Sequence, residues 1–311
     1  MESVSVVIPA KNGIRTIRKC IDGILAQTID VEEIVVVDSG STDGTIEILE
    51  QYDEVKLIEI PPKSFDHGDT RNLGVQHASG DYVVLTVQDA WPVNEYWLEN
   101  MLRGFREDGV VAVCGQQVVP HEPDKNPVQW FRPYTTPEIV TYSFTKEVYE
   151  AMSPADKQSV CCWDDVTAMY KRDVLLSLPF RKTPFAEDAW WANDALQAGY
   201  TIAYNYNARV FHYHHESKET AFKRNIAEMY STYRIFKVKP ATKGMTIAYY
   251  LHILKALLKA DSISLADRFK WFRYNVNLQR AAINAASVFN ETLQSGETEL
   301  DHMYVKYCGR A

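Results

Sequence analysis

An acidic residue, Asp89, stands just beyond a run that the sequence predicts to be a buried strand. Residues 80–92 read GDYVVLTVQDAWP, an apolar and largely β-branched run between turn residues and Pro92, which is typical of a strand covered on both faces. Open α/β sheets bind their ligands beyond the carboxyl ends of such strands, so this carboxylate is placed for chemistry. The alternative is an Asp that only turns the chain.

Two further groups of polar residues follow predicted elements. Glu187 and Asp188, in FAEDAWWANDALQAGY, stand at the start of a predicted helix. Three histidines, His212, His214 and His215, follow a late predicted strand. A lone histidine is more often structural, but three within four residues beside a strand end make a functional role as well supported as a structural one.

Alternating strands and helices must position these residues. Beyond the run before Asp89, strands are predicted at residues 4–8, 34–37, 55–60, 110–113, 201–206 and 208–213, with another strand-like run ending at Tyr170. Short strand and helix units are the signature of a parallel, doubly wound sheet. Right-handed crossovers then bring residues 9–12, residues 38–41 and Asp89 to one edge of that sheet.

Composition and charge exclude several classes of protein. The formal net charge of the 311 residues is −8, which argues against nucleic acid as a partner. Residues 218–273 carry twelve Lys and Arg against four acids, so the rest of the chain carries −16. Five cysteines without zinc spacing predict reduced thiols in a cytosol. The N-terminus shows no signal-peptide pattern and no apolar run reaches the ~18 residues of a spanning helix, so we expect a cytoplasmic protein, soluble or peripheral on a membrane.

With these residues in view, the chain resembles the inverting family 2 glycosyltransferases of the GT-A fold. The resemblance covers roughly residues 3–215 and rests on six segments in the expected order: VSVVIPAKN, VVVDSGSTDGT, RNLG, GDYVVL with an acid at the strand end, FAEDAWW and ARVFHYH. It implies an α/β fold with a doubly wound, mostly parallel sheet. Residues 1–216 would form the transferase domain, with a nucleotide-sugar half (1–115) and an acceptor half (116–216), and residues 217–311 a basic helical appendage. The lack of a Walker loop or GxGxxG motif argues against ATPase and nicotinamide functions.

Two segments are similar to the variants found in bacterial rhamnosyltransferases, which use dTDP-L-rhamnose. These segments are FDHGDTRNLG and TVQDAWP. Most relatives keep an Asp-x-Asp metal motif, whereas this chain has Val87, Gln88 and Asp89, so the first carboxylate is missing. The resemblance implies transfer of L-rhamnose to a lipid-linked glycan in bacterial surface polysaccharide synthesis, at the inner membrane face or in the cytosol. Another nucleotide sugar, such as a UDP-hexose, and a non-catalytic saccharide- or nucleotide-binding module remain as alternatives.

The same resemblance assigns a divalent cation to this site. Mg²⁺ or Mn²⁺ would offset the charge that develops on the leaving diphosphate. Asp89 is the implied ligand, and an imidazole at the end of a late strand, His212 or else His214, is the second. Gln88 is expected to contact the sugar or a phosphate.

Further residues are implied to hold the donor. Arg71, in RNLG, suits bidentate contact with the diphosphate, and its alternative is a salt bridge to Asp66 or Asp69. Asp38, with Ser39, is the implied contact to the pyrimidine base, and its alternative is to cap the following turn. The other wall of the base and ribose pocket would be shaped by residues of one turn: Pro9, Ala10 and Asn12.

On the acceptor side, Asp188 matches the catalytic base of the family. It would take the proton of the acceptor hydroxyl opposite the leaving diphosphate, with Glu187 beside it. The alternative is an ordinary acid at a helix N-terminus. Trp163 and Trp191 are candidates to line the acceptor site with their ring faces, although such residues more often belong to a core.

The basic C-terminal region holds two helical stretches that interleave aromatic and basic residues, at 247–258 and 269–276. Such helices can lie on anionic lipid, which predicts peripheral contact with a membrane. The alternative is a packed helical appendage with a solvated basic face.

Overall fold

A computed structural model of the chain describes residues 2–132, 139–242 and 244–309. The chain divides into two compact units, the first formed by Met1–Val118 and Pro133–His212 and the second by Val119–Arg132 and Tyr213–Ala311. The boundary predicted after residue 216 lies close to this division. The structure places Val119–Arg132 in the second unit, whereas the sequence placed it within an acceptor half.

Within the described residues, the first unit contains a nine-stranded mixed sheet. Its strands are β1 Val4–Ala10, β2 Glu33–Asp38, β3 Val55–Glu59, β4 Tyr82–Leu85, β5 Trp91–Pro92, β6 Val110–Val118, β7 Ile139–Tyr142, β8 Ala168–Lys171 and β9 Thr201–Phe211. The order is β3-β2-β1-β4-β8-β6-β9-β5, and β7 also pairs with β9.

The strand directions divide this sheet into two parts. Strands β3, β2, β1 and β4 pair in parallel, as the sequence predicts. Strand β8 runs antiparallel to both β4 and β6, while β6 and β9 are parallel. Strands β5 and β7 run antiparallel to β9. The α/β class is confirmed, and the sheet is more mixed than predicted because the apolar run before Tyr170 carries no signal for strand direction.

The helices of the first unit alternate with these strands. They are α1 Ile17–Leu25, α2 Thr45–Leu49, α3 His67–His77, α4 Trp97–Gly104, α5 Lys146–Ala151, α6 Pro154–Val160, α7 Arg172–Ser177 and α8 Glu187–Gln197. Ile8 of β1 lies in one core cluster with Ile21 of α1. On the opposite face, Val7 lies against Gly74 of α3. Helices on both faces explain why β1 reads as a continuous apolar run.

The second unit is helical in the residues described. It contains α9 Lys218–Phe236, α10 Ile247–Leu258, α11 Leu265–Gln294 and α12 Glu297–Cys308. Ile253 and Trp271 share a core cluster with Trp130 from the inserted segment. Buried Asn126 and Asn275 exchange amide hydrogen bonds of 2.8 and 2.9 Å, which tie that segment to α11. Across the described ranges, the helices are too short or too polar to cross a bilayer.

A close backbone approach shapes the part of the sheet nearest the polar residues. The register of β6 against β9 shifts between Cys114 and Gln116. The two strands predicted at residues 201–206 and 208–213 form one continuous strand, β9. Gly115 donates its N–H to Thr167 O at 2.7 Å, and a Cβ on it would lie 2.3 Å from Ala208 O. Glycine is therefore required where β6 bends toward its end.

We expect Gly115→Ala to lower the free energy of unfolding by about 1–3 kcal/mol, because the added methyl group meets a backbone carbonyl that cannot rotate away. Chemical denaturation measures the change. Gly244→Ala is the matched control, since no atom lies within 4 Å of the added Cβ, and it should change stability by less than about 0.5 kcal/mol. Equal stability of the two variants would contradict the close approach.

Candidate active site

Asp89 and His212 lie side by side beyond the ends of β4 and β9. The Nε2 atom of His212 is 3.5 Å from Oδ1 of Asp89, and both side chains are partly buried. The Nδ1 atom of His212 lies 2.6 Å from Oε1 of Gln117, a residue near the end of β6. The structure therefore brings together Asp89 and His212, the two predicted metal ligands that lie in the first unit.

The hydrogen bonds of Gln117 determine which ring nitrogen of His212 carries the proton. The Nε2 amide of Gln117 donates to Asp164, whose carboxylate can only accept. The carbonyl of Gln117 must then face His212, so Nδ1 carries the proton and donates. Nε2 is left with a lone pair on the side of Asp89. A carboxylate oxygen and an imidazole lone pair that face the same space suit a divalent cation.

The other two histidines lie beyond the division between the units. His214 belongs to the second unit, and its role as a ligand stays a prediction. His215 stacks on Tyr274 with ring centroids 4.5 Å apart, within the second unit. Its ring is therefore part of an aromatic cluster.

Gln88 has a structural role, and its contact with a sugar or a phosphate stays a prediction. Its Oε1 accepts from Lys11 N at 2.8 Å, and its Nε2 donates to Lys11 O at 2.9 Å. A carboxylate cannot donate, so an Asp at this position would lose one of the two bonds. The missing first carboxylate of the metal motif is thus replaced by an amide that joins the loops after β1 and β4.

The turn after β2 is held by Asp38, which is fully buried. Its carboxylate accepts from Gly40 N at 2.8 Å, from Ser41 N at 2.7 Å and from the Ser41 hydroxyl at 2.5 Å. The capping role that the sequence offered as the alternative is therefore present. The contact of Asp38 with a pyrimidine base stays a prediction.

The residues of the β1 turn lie against that β2 turn. Ala10 pairs with Asp38 in the parallel register that also includes Pro9, and Ala10 O accepts from Ser39 N at 2.9 Å. Asn12 has a left-handed backbone with φ 50°, and its Oδ1 accepts from Thr42 N at 2.9 Å. The five residues predicted to surround the base and ribose thus belong to one hydrogen-bonded pair of turns.

Asp188 lies at the start of α8 among other carboxylates. Its Oδ2 accepts from Asp165 N at 3.4 Å, and its Oδ1 accepts from Ala189 N at 2.7 Å. Loss of hydration in this site raises the pKa of Asp188 well above its usual range, and the charges of Glu187, Asp165 and Asp164 raise the pKa further. Asp188 remains partly exposed, so a substrate hydroxyl can reach it. A reachable carboxylate with a raised pKa can act as a general base.

Arg71 lies inside the protein and faces carboxylates of other elements. Its Nη1 is 2.5 Å from Glu187 Oε1, and its Nε is 3.4 Å from Asp165 Oδ2. All three side chains are buried. The predicted contact of Arg71 with a diphosphate is therefore replaced by a buried ion pair, because the guanidinium is enclosed and already faces two anions. Glu187, predicted to lie beside the catalytic base, is one of these anions.

The alternative partners that the sequence offered for Arg71 are also wrong. Asp66 caps α3 by accepting from Gly68 N and Asp69 N. Asp69 lies 3.4 Å from Lys182 at the surface. The actual partners of Arg71 lie in distant parts of the chain, so local spacing could not identify them.

Asp165 is the second titrating group of this cluster. Burial raises the pKa of Asp165 to about 7, while Arg71 lowers it and Glu187 raises it. The Tyr170 hydroxyl donates to Asp165. Asp164 and Asp165 follow the predicted acceptor residue Trp163 in sequence but were not themselves predicted site residues, and Gln117 stands in a segment without periodic pattern.

Trp163 and Trp191 belong to the core and not to an acceptor surface. Their exposed fractions are 5% and 1%, and their rings lie 5.9 Å apart. Trp163 donates to the Tyr170 hydroxyl at 2.6 Å, and Trp191 donates to Leu178 O at 2.8 Å. Both polar atoms are therefore satisfied inside the protein. The predicted sugar contact is wrong for both residues, and the core alternative is right.

A chain of contacts joins the two predicted functional groups. It runs from Asp89 through His212 and Gln117 to Asp164, whose chain neighbour Asp165 donates its N–H to Asp188. The predicted metal ligands Asp89 and His212 and the predicted base Asp188 therefore share one region of the first unit. This arrangement suits the displacement of an anionic leaving group by a hydroxyl.

The chain is similar to known proteins in both sequence and fold. The model of Glycosyl transferase family 2 matches residues 5–176. The chain is 30% identical to the O-antigen chain rhamnosyltransferase RfbN of Salmonella typhimurium, over 71% of this chain and 69% of RfbN. It is 32% identical to the O-antigen chain rhamnosyltransferase WbaN of Salmonella anatum, over 72% and 70% of the two chains.

Solved structures show the same fold at lower identity. The mannosyltransferase PcManGT of Pyrobaculum calidifontis, in complex with GDP-Man and Mn²⁺, matches 99% of this chain and 80% of its own with a TM-score of 0.55 and 18% identity. TarS 1–349 of S. aureus matches 95% and 92% with a TM-score of 0.53 and 16% identity. The GT-A fold expected from the sequence is confirmed.

We expect Arg71→Met to destabilise the protein by about 3–5 kcal/mol at neutral pH, because it leaves Glu187 and Asp165 buried without a cation. The loss should shrink in acid. Arg71 lowers the pKa of Asp165 against the effect of burial, so this pKa is about 7 in the wild type and higher in the variant, and the added cost of an ionised Asp165 appears only as pH rises through about 7 and above. Urea denaturation across this pH range measures the effect.

The control for this change is Lys182→Met, which removes a cation from the exposed pair with Asp69. It should alter stability by no more than about 1 kcal/mol. A loss of equal size in the two variants, or one for Arg71→Met that does not depend on pH, would contradict the buried charge cluster.

Proposed function

Because the chain belongs to glycosyl transferase family 2 and is a glycosyltransferase, we propose that it transfers L-rhamnose from dTDP-L-rhamnose to a glycan, with inversion at the anomeric carbon. The observation that carries this proposal is the match to two rhamnosyltransferases over about 70% of both chains. The Gln88 and Asp89 pair, in place of an Asp-x-Asp motif, supports the same donor.

The acceptor is a growing bacterial surface polysaccharide in this proposal. The names of both relatives refer to the O-antigen chain. We propose that the acceptor is lipid-linked and that the protein works in the cytoplasm, peripheral on the inner face of the cell membrane. A glycan carried on lipid diphosphate requires an enzyme that can reach a membrane surface.

A different nucleotide sugar is the second candidate. One TarS structure contains UDP-GlcNAc and the PcManGT structure contains GDP-Man, and both share the fold of this chain. A fold alone therefore does not fix the donor. A purely binding module is less well supported, because the chain brings a carboxylate next to an imidazole and also has a partly exposed carboxylate with a raised pKa.

The reaction in this proposal is a single displacement. Asp188 accepts the proton of the acceptor hydroxyl while its oxygen bonds to the anomeric carbon of the sugar. The bond from that carbon to the diphosphate breaks, and its electron pair leaves with the diphosphate. Arg71 acts as a positioning residue in this step, since it holds Glu187 and Asp165 beside the base.

Asp89 and Nε2 of His212 are the residues that would hold the divalent cation. When bound, the cation supplies positive charge against the developing charge of the diphosphate. The donor set contains nitrogen as well as oxygen, and Mg²⁺ prefers oxygen ligands in strict octahedral geometry, so we propose Mn²⁺ ahead of Mg²⁺. Mn²⁺ in the PcManGT complex supports this order. His214 remains the alternative ligand.

We expect dTDP to bind at least about tenfold more tightly than UDP or GDP, because a pocket shaped for the thymine methyl group loses that contact with the other bases. Isothermal calorimetry of the three diphosphates, with and without Mn²⁺, measures this order. Added Mn²⁺ should tighten binding of dTDP. Tighter binding of UDP or GDP would contradict the rhamnose donor and favour the second candidate.

Variants of the cation site separate the metal proposal from the donor proposal. Asp89→Asn and His212→Ala should remove the gain in dTDP affinity that Mn²⁺ provides. Gln117→Leu should weaken Mn²⁺ binding by about 10–100-fold, because it no longer orients the imidazole. Asp108→Asn, at an exposed loop position, is the control and should behave as the wild type. A gain that persists in Asp89→Asn would exclude this site.

We expect Asp188→Asn to reduce the rate of sugar transfer by about 10²–10⁴-fold, since an amide cannot take the proton. Donor affinity should remain at the wild-type level. The free energy of unfolding should stay equal or increase, because the change removes one carboxylate from a crowded site. Transfer at the wild-type rate would show that another group is the base.

The pH dependence of kcat/KM tests the same assignment. Asp188 must be ionised to act, and its pKa is raised, so activity should fall on acidification at a pH above the usual carboxyl range. Asp165→Asn removes one of the charges that raise this pKa, so the acidic limb should move to lower pH. A limb that does not move would contradict the proposed coupling.

A further inference from the structure

One face of α10 exposes a line of large apolar side chains. Ile247, Leu251, Leu254 and Leu258 have exposed fractions of 80%, 59%, 44% and 67%. Their spacing of four, three and four residues places them on one side of the helix. The other side of α10 packs into the second unit, where Ile253 is fully buried. The exposed leucines are therefore not needed for the core of that unit.

The beginning of α11 extends this apolar surface. Leu265 and Phe269 are 80% and 64% exposed, and their spacing of four residues places them on one side of α11. Residues 259–264 form a short connection between Leu258 and Leu265. We call the six side chains the apolar ridge: Ile247, Leu251, Leu254, Leu258, Leu265 and Phe269.

Basic side chains accompany the apolar ridge. Four exposed cations lie on the same two helices and their connection: Lys255, Lys259, Lys270 and Arg273. The guanidinium of Arg273 lies 5.9 Å from the ring centre of Phe269. The acids in this stretch are Asp261 and Asp267, and Asp267 accepts from the Ser264 hydroxyl at 2.6 Å where α11 begins. The stretch is positive in a chain whose net charge is −8.

We propose that the apolar ridge and these four cations bind the headgroup region of an anionic lipid bilayer. Exposed leucines and a phenylalanine at helical spacing can enter the headgroup and acyl boundary, while long basic side chains reach lipid phosphates. Charge complementarity selects this occupant. A second copy of the chain would set the same cations against one another, which opposes self-association through this face.

This surface deepens the proposed function, and it rests on that function only where it assumes a lipid-linked acceptor. Binding of the ridge to lipid would hold the chain at the surface where such an acceptor lies. The contact itself does not depend on catalysis, so it can be measured without donor or acceptor.

Sedimentation of the full chain with vesicles tests the proposal. The protein should sediment with vesicles of phosphatidylcholine and phosphatidylglycerol, and much less with phosphatidylcholine alone. The double variant Lys255→Gln/Lys259→Gln should weaken binding by about fivefold per lysine, and added salt should weaken binding by the wild type. The double variant Leu251→Gln/Leu258→Gln should weaken it by at least about tenfold.

Matched controls come from exposed positions of the first unit. Val148 and Leu176 are 53% and 41% exposed, and Val148→Gln/Leu176→Gln should sediment as the wild type does. Lys146→Gln is the control for charge. Because the changed residues are exposed, circular dichroism should show the same helix content in every variant.

Three results would overturn the proposal. The first is absence of the wild type from the phosphatidylglycerol pellet, and the second is sedimentation of the ridge variants at the wild-type level. The third is a dimer in analytical ultracentrifugation that Leu251→Gln/Leu258→Gln dissociates, which would assign the ridge to a second copy. Transfer of sugar to a soluble acceptor should be unchanged in the ridge variants. A wild type that binds vesicles but transfers no sugar would refute the proposed function and leave the surface intact.

Discussion

The site depends on how much negative charge the protein encloses around one guanidinium. Arg71 lies inside the first unit against Asp165 and Glu187. Asp188 follows Glu187 directly at the start of α8. Burial raises the pKa values of Asp165 and Asp188, and the charges of the neighbouring carboxylates raise them further, because one cation cannot neutralise three carboxylates. This arrangement costs stability, but the same desolvation that raises the pKa of Asp188 makes its carboxylate a stronger base.

The antiparallel strand β8 makes this arrangement possible. Its first residue, Ala168, pairs with Leu85, the last residue of β4. The segment that precedes β8 therefore lies at the same sheet edge as the loop that follows β4, and it brings Asp164 and Asp165 toward the side of Asp89. A parallel strand would have placed this segment at the opposite edge. Strand β9 runs parallel to β6 and ends at that edge as well, where His212 meets Gln117.

Local patterns in the sequence predicted the elements and the positions of single polar residues well. The strand before Asp89 and the helix that begins with Glu187 and Asp188 were correct, because apolar periodicity and turn residues are local signals. Partnerships across the chain could not be predicted in this way. Arg71 and Glu187 are 116 residues apart, and nothing in their spacing connects them. The sequence offered Trp191 both as a core residue and as a candidate sugar contact, since burial of an aromatic ring depends on tertiary packing.

The replacement of the first metal carboxylate by Gln88 changes the charge of the cation site. In the proposed function, a divalent cation meets one carboxylate, Asp89, and one neutral imidazole, His212. These two ligands do not neutralise it, and they leave most of its coordination shell to other oxygen atoms. The diphosphate of the donor can supply both the missing oxygens and the missing charge. Weak binding of the cation alone and tight binding together with the diphosphate follow from that charge balance, so the loss of one acid favours coupled binding and does not by itself abolish the metal site.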